Sequence, residues 1–360
     1  MKICLLGDTH FGVRNDSKVF HEYFERFYNE IFFPYLIENK IDTIIQLGDL
    51  FDRRKYINFL SLTESRRYFF DRLKKENITL HALIGNHDIF WKHSLEVNSP
   101  SLLLRDYDNI VLWQKHGTLN LGEASFDMIP WICNENETQI LDFVNKSVSP
   151  YCIGHFELNG FSLMKGVECH EGMSADFLKN YDQVFSGHFH TRSKAQNIEY
   201  LGTPYELFWS DYKDSKGFYV FDTNSKNLTF IENSYRMFNK IVYDDSSLSW
   251  DKIKSTVEKE CVANTYIKVI VSSKGDPYMF DRFVDELYKY DPIDIAIVEN
   301  FADIDTMQDE SDDVDQAQDT MTILSNYIDQ QEFNDVDNSK LKNFMRELYI
   351  EAISIEENVE

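Results

Sequence analysis

The sequence predicts an α/β protein whose strands carry a reactive site at their carboxyl ends, and three observations predict it. Apolar strand-like runs alternate with amphipathic helix-like segments three times between residues 2 and 84. Five apolar runs end on one grammar, a glycine followed by Asp, Asn or His: Gly7-Asp8, Gly48-Asp49, Gly85-Asn86, Gly154-His155 and Gly187-His188. In an open α/β sheet, the crevice beyond the carboxyl ends of the strands is where ligands bind.

The elements follow in order. Residues 2–7 read as a buried strand. Residues 17–38 place Phe20, Phe24, Phe27, Tyr28 and Ile31 at spacings of three and four, an amphipathic helix closing near Pro34. Residues 41–47 form a second strand, 60–76 a helix with a basic outer face, and 78–84 a third strand. A strand-rich stretch occupies 110–130, broken by Pro130-Trp131, and 138–146 is a short helix. Tyr151–His155 is the fourth site-bearing strand, the apolar run opening the stretch Asp182–His190 is the fifth, and strands near 200 and 217–222 close a domain at 1–235. Residues 236–300 read as a small α/β domain, with strands near 239–243, 265–272 and 293–298 and helices near 250–260 and 277–289. A linker, 301–320, includes eight acidic and no basic residues between 303 and 319. A tail, 321–360, puts Leu341, Phe344, Met345, Leu348 and Tyr349 on one helical face, either docked on its own core or presented to a partner.

Composition narrows the class. A chain of 360 residues with 43% hydrophobic and 15% aromatic content is a folded globular protein with material for two or three domains. No run of 18 apolar residues suggests a membrane span, and the N-terminal apolar run is too short for a signal peptide. The five cysteines (4, 133, 152, 169 and 261) are odd in number and lack paired spacing, which points to reduced thiols in a cytoplasmic setting. The net charge of −25 runs against a protein that grips nucleic acid unaided, because phosphate neutralisation needs a basic face.

The chemistry is carried by Asp8, His10, Asp49, Asn86, His155, His188 and His190, with His87 and Asp88 beside them. Carboxylate, amide and imidazole donors without thiolate suit Mn²⁺, Fe²⁺, Zn²⁺ or Mg²⁺. Seven donors exceed one ion's needs, so two metals are the economical reading, with Asp49 as a bridge. The bland reading of any one pair, such as His188-x-His190, is a satisfied surface pair. His21, His81, His93, His116 and His170 lie outside the grammar and read as ordinary histidines.

Asp8-x-His10, Gly48-Asp49-x-x-Asp52, Gly85-Asn86-His87-Asp88, Gly154-His155 and Gly187-His188-x-His190 resemble the five motifs of the calcineurin-like metallophosphoesterases. The details, including Ile129-Pro130-Trp131 and His155-Phe156-Glu157-Leu158-Asn159-Gly160, resemble the SbcD-type DNA double-strand-break repair nucleases, and among them the recombination endonuclease subunits of T-even phages. The likeness is strong over 1–235 and holds only in plan beyond. It implies a four-layer sandwich of two mixed β-sheets flanked by helices, a cap domain at 236–300 and a partner-binding tail. It implies Asp8, His10 and His190 on one divalent ion, Asn86, His155 and His188 on the other, and Asp49 between them, with Mn²⁺ ahead of Mg²⁺. His87 becomes the catalytic group at the leaving oxygen, oriented by Asp88. The implied function is a DNA nuclease, exonuclease on double-stranded ends and endonuclease on single strands. The implied setting is recombination, repair and replication in the host cytoplasm, as a homodimer within a heterotetramer with an SMC-like coiled-coil ATPase.

Departures keep other readings open. Some relatives carry histidine where this chain has Asp52, so a phosphate-stabilising role there is in doubt and falls to Arg53. Arg53, Arg54, Lys55 and Arg192 form a candidate DNA-binding rim, extended by Arg66, Arg67, Arg72, Lys74 and Lys75 on the next helix; the alternative, above all for that helix group, is solvated faces and ordinary ion pairing. A protein phosphatase signature would continue with glycine at Arg54 and with glutamate at Asp88. A small-molecule phosphodiesterase or a catalytically silent scaffold for the ATPase are the remaining alternatives.

Overall fold

Strand β1 (Lys2–Leu6) shows how the core is built. Successive side chains of a strand face opposite ways: Ile3 and Leu5 enter one apolar cluster, while Cys4 and Leu6 enter another. A strand buried on both faces belongs in the middle of a layered protein. The computed structural model describes residues 1–299 except 165–166, 171, 247–248, 256 and 258–261. These residues belong to one compact unit.

The first sheet adds β2 (Thr43–Gln46), β3 (Thr79–Leu83) and β4 (Ile110–Trp113) parallel to β1 on one side. The second sheet begins with β5 (Gly117–Leu121), β6 (Ala124–Ile129) and β7 (Tyr151–His155). After a two-stranded ribbon, β8 (Ser162–Met164) with β9 (Val167–Glu168), it continues with β10 (Gln183–Gly187), β11 (Ser193–Ala195) and β12 (Ile198–Tyr200). The chain then returns to the first sheet as β13 (Gly217–Asp222) and β14 (Asn227–Glu232), antiparallel on the far side of β1. The six-strand orders are β14-β13-β1-β2-β3-β4 and β11-β12-β10-β7-β6-β5. Both sheets mix parallel and antiparallel pairs.

Between the sheets lie Ile3, Leu5, Ile45, Leu47 and Leu83 against Phe126, Met128, Ile153 and Phe185. Helices cover the outer face of each sheet, completing the expected four layers. The outer layer over the first sheet is rich in rings; Phe24 stacks on Tyr205 with centroids 3.8 Å apart. Of the two helices supplying it, the first runs past Pro34 to span 18–38 and the second spans 59–75, each interrupted by a wider π turn, at Tyr28–Phe32 and Arg66–Phe70. Pro34 sits in the first turn of the segment Phe33–Glu38, where its missing N–H removes nothing essential. The π turns bring Tyr28 and Phe69 together, ring centroids 4.7 Å apart.

Residues 236–299 carry their own parallel sheet, β15 (Phe238–Asp244), β16 (Tyr266–Ser273) and β17 (Asp294–Val298). Its inner face packs on helices Trp250–Lys254 and Pro277–Tyr288 through Ile241, Tyr243, Val269, Phe280 and Phe283. Phe238 and Tyr266 reach back to stack near Phe20. No helix among the described residues is long and apolar enough to cross a membrane. The acidic linker at 301–320 and the tail face of Leu341, Phe344, Met345, Leu348 and Tyr349 lie outside the described residues.

Candidate metal centre

Five loops at the carboxyl ends of β1, β2, β3, β7 and β10 bring the predicted donors together. Glycine is needed because donor side chains fill the space beside the backbone. A Cβ on Gly187 would stand 2.5 Å from Asp8 Oδ1, and one on Gly85 would stand 2.1 Å from Asp49 Oδ1. The donors' own backbone is bent as well: His10 (φ 43°), Asp49 (φ 55°) and His188 (φ 88°) occupy the left-handed region that non-glycine residues avoid.

Two donor sets result. In the first, His10 Nε2 lies 3.1 Å from His190 Nε2, and Asp8 joins them with its ligand atom within 4.8 Å. In the second, the Asn86 Oδ1 lies 2.8 Å from His155 Nε2 and 3.0 Å from His188 Nδ1. Asp49 Oδ2 stands between the sets, 3.2 Å from His155 Nε2 and 3.9 Å from His10 Nε2. Its other oxygen accepts from the His87 backbone N–H at 2.8 Å, so one oxygen is kept for the space between. The His155 Nδ1–H donates to the Leu47 carbonyl at 2.7 Å, which turns Nε2 inward.

Whether these residues fit metal ions is decided by their crowding. Asp8 Oδ1 is fully buried with no hydrogen-bond partner, although Oδ2 accepts from the His188 N–H at 2.8 Å. Lone pairs of imidazole, amide and carboxylate converge where a buried polar group otherwise goes unsatisfied. Hard oxygen and imidazole donors without sulfur suit divalent first-row ions or Mg²⁺. The charge balance says the same. Burial pushes Asp8 up to about 7, against the pull of His155. Burial also opposes charge on His10 and His155, yet neighbouring carboxylates outweigh it: Asp52, Asp49 and Asp8 take His10 up to about 10, and Asp49 and Asp8 take His155 up to about 9. His188 is driven down to about 3 by burial and by His155, leaving its lone pair available. The surrounding carboxylates therefore favour positive charge at His10 and His155.

The surrounding residues differ from expectation in one respect. Asp88 does not touch the His87 ring. Its carboxylate accepts from four backbone N–H groups, of Asp49 and Gly85 (both 2.9 Å), Leu50 (3.1 Å) and Phe51 (3.3 Å), and so clamps the Asp49 loop to the Asn86 loop. The His87 ring is held instead through Nδ1 by the Asp52 carbonyl. Sequence reasoning left Asp52 in doubt; its carboxylate lies 3.2 Å from His10 Nδ1.

Three further residues surround the donors: Trp131, from the Ile129-Pro130-Trp131 likeness, and Phe208 and Lys216, which belong to no motif. Trp131 lies against the rings of His188 and His155, at 5.2 and 5.9 Å. Phe208 stacks parallel to His190 at 6.0 Å. Buried Lys216 donates to the His190 carbonyl at 2.8 Å while paired with Asp211 at 2.6 Å and Asp214 at 2.9 Å.

The basic rim is dispersed into local contacts. Arg53 pairs with Asp16 at 3.4 Å and lies against Tyr56; Arg54 donates to the Ile89 carbonyl; Arg192 covers the Phe230 ring at 3.8 Å; Lys55 is exposed. On the following helix, Arg67 pairs with Glu25 and Glu64, Arg72 with Glu76 and Lys74 with Asp108, the ordinary ion pairing. His21 is likewise an interior residue, bonded to Tyr68 and Ser61 hydroxyls.

Residues 1–217 match the family model described as calcineurin-like phosphoesterase. The chain is 34% identical over 353 residues to "Exonuclease subunit 1" of Enterobacteria phage T4, covering 98% of this chain and 99% of that protein. A solved structure described as a novel archaeal phosphodiesterase covers 65% of this chain and all of its own, at 11% identity and a TM-score of 0.33. The family model spans more than half the chain and all five donor loops, and the protein belongs to the calcineurin-like phosphoesterases.

Proposed function

We propose that this protein is a metal-dependent DNA nuclease, hydrolysing phosphodiester bonds as exonuclease on double-stranded ends and endonuclease on single strands. The observation that carries the reading is the pair of donor sets sharing Asp49, in a chain similar over nearly its whole length to a protein named an exonuclease subunit. Two divalent ions, Mn²⁺ ahead of Mg²⁺, would polarise the scissile phosphate and supply a hydroxide nucleophile. Asp8, His10 and His190 hold one ion, Asn86, His155 and His188 the other, with Asp49 between. Burial lowers the His87 imidazole's affinity for protons. With Nδ1 committed to the Asp52 carbonyl, Nε2 is the nitrogen available to carry a proton toward the leaving oxygen as the phosphate anion approaches.

The word "subunit" in the relative's name supports assembly. We infer a recombination and repair complex with a coiled-coil ATPase engaged through Leu341, Phe344, Met345, Leu348 and Tyr349, a homodimer within a heterotetramer in the host cytoplasm. The ATPase adds DNA affinity to a chain of net charge −25.

The test is cleavage of linear double-stranded and circular single-stranded DNA with Mn²⁺, by wild type and His87→Asn. The expected outcome is a loss of at least 100-fold in His87→Asn with both ions still bound. Turnover of bis-p-nitrophenyl phosphate without cleavage of either DNA would reassign the site to small diesters.

A further inference from the structure

Outside the metal centre, the cations that lie together in space come from distant parts of the chain. The contacts can be followed outward from His190. Phe208 stacks on that ring, and the Arg14 guanidinium lies 5.1 Å from the Phe208 ring and 5.9 Å from the Phe238 ring. Phe238 meets Trp209 at 4.8 Å, and Lys268 Nζ covers Trp209 at 4.2 Å. Lys240 is the register partner of Lys268 on the adjacent strand, and its Nζ lies 5.2 Å from the Tyr212 ring, as does that of Lys213. These contacts form one continuous strip from the metal centre across the seam onto the sheet of residues 236–299.

Two features set the strip apart from the dispersed rim. Among the described residues, Arg14, Lys213 and Lys240 form no ion pair, whereas Asp211 and Asp214 beside them are turned onto buried Lys216. Arg14 is also presented by a strained turn: Arg14, Asn15 and Asp16 are three successive non-glycine residues in the left-handed region, at φ 55°, 56° and 60°. A strained backbone at a site's edge persists where the surrounding structure over-determines it, and strain of this kind collects at ligand clamps. Cations held over aromatic faces keep their charge at the surface in fixed positions, which suits a polyanion whose bases also present flat faces.

We propose, on the reading that the substrate is DNA, that Arg14, Lys240 and Lys268, with Trp209, Tyr212 and Lys213, form a track for the phosphate backbone of the strand flanking the scissile bond. The phosphates lie against the cations, and the track leads the strand over Phe208 into the first donor set. It gives an acidic protein a local grip that neither net charge nor the sequence near the motifs reveals.

The experiment uses the full-length protein in Ca²⁺, with binding of a fluorescein-labelled single-stranded oligonucleotide followed by anisotropy across a salt series. Lys240→Gln/Lys268→Gln is compared with Arg14→Gln and with Lys226→Gln/Lys252→Gln, which removes two exposed lysines elsewhere. Each lost phosphate contact lowers the slope of log Kd against log salt by about 0.7. The Lys240/Lys268 double variant is therefore expected to lose about 1.4 and Arg14→Gln about 0.7, and the Lys226/Lys252 control nothing. Circular dichroism melts and bis-p-nitrophenyl phosphate turnover in Mn²⁺ serve as checks on folding. Equal slopes for wild type, strip variants and control would overturn the track while leaving the nuclease reading intact. A wild type that turns over the small diester but neither binds nor cuts DNA would remove both.

Discussion

The Asp52 carboxylate lies 3.2 Å from Nδ1 of His10, whose Nε2 faces the first donor set. A carboxylate behind a ligating imidazole fixes which nitrogen carries the proton and raises the ligand's basicity. Here the Asp52 carboxylate faces the His10 ring as a close charged neighbour. Asp52→Ala is expected to weaken one of the two metal sites by roughly 10- to 100-fold. Titration of Mn²⁺ by calorimetry checks it; two unchanged sites would refute the orienting role.

Asp88 makes a stability prediction. Its buried carboxylate satisfies four backbone N–H groups from two loops. Asp88→Ala leaves those donors buried and unmet, at a cost of roughly 3 kcal/mol or more. Urea unfolding of the metal-free protein should show that loss, while Asp52→Ala, at a partly exposed site, should lose less.

Bridging gives a third prediction. Because Asp49 Oδ2 faces both sets, Asp49→Ala is expected to weaken both ions, whereas Asp8→Ala should spare the ion held by Asn86, His155 and His188. Bound metal after gel filtration, counted by mass spectrometry, separates the two. Saturating Mn²⁺ at 100 times Kd should stabilise wild type by about 2.7 kcal/mol per site, reversed by chelation.

A pH dependence follows from Glu206, fully buried where residues 203–212 meet 236–238. Burial pushes its carboxyl from 4.5 up to about 7, although the backbone N–H groups of Met237 and Phe238 pull the other way. The folded state therefore holds a proton that the unfolded state releases. This contribution is fully present below pH 4.5 and is lost as pH rises through about 7. At 1.36 kcal/mol per unit it amounts to roughly 3 kcal/mol. Glu206→Gln keeps an acceptor for the same N–H groups and should flatten unfolding free energy against pH between 5 and 8. An unchanged slope would place the titration elsewhere.

The sequence by itself determined which candidate donors lie together and the strands that carry them. Each donor follows a glycine at the end of an apolar run, and both features are local: backbone freedom at the turn and burial of the strand before it. The same periodicity located the three strands of the smaller sheet at 238–298. The tertiary structure alone decided what each neighbour of a donor does. Asp88 and Asp52 each belong to a motif, yet one clamps backbone and the other faces the His10 ring, because the choice depends on which loop lies opposite. Lys216, Phe208 and the Arg14–Lys240–Lys268 strip carry no motif, since their partners lie far away in the chain. Packing between distant segments sets those contacts, and a one-dimensional pattern records only what neighbours impose on each other.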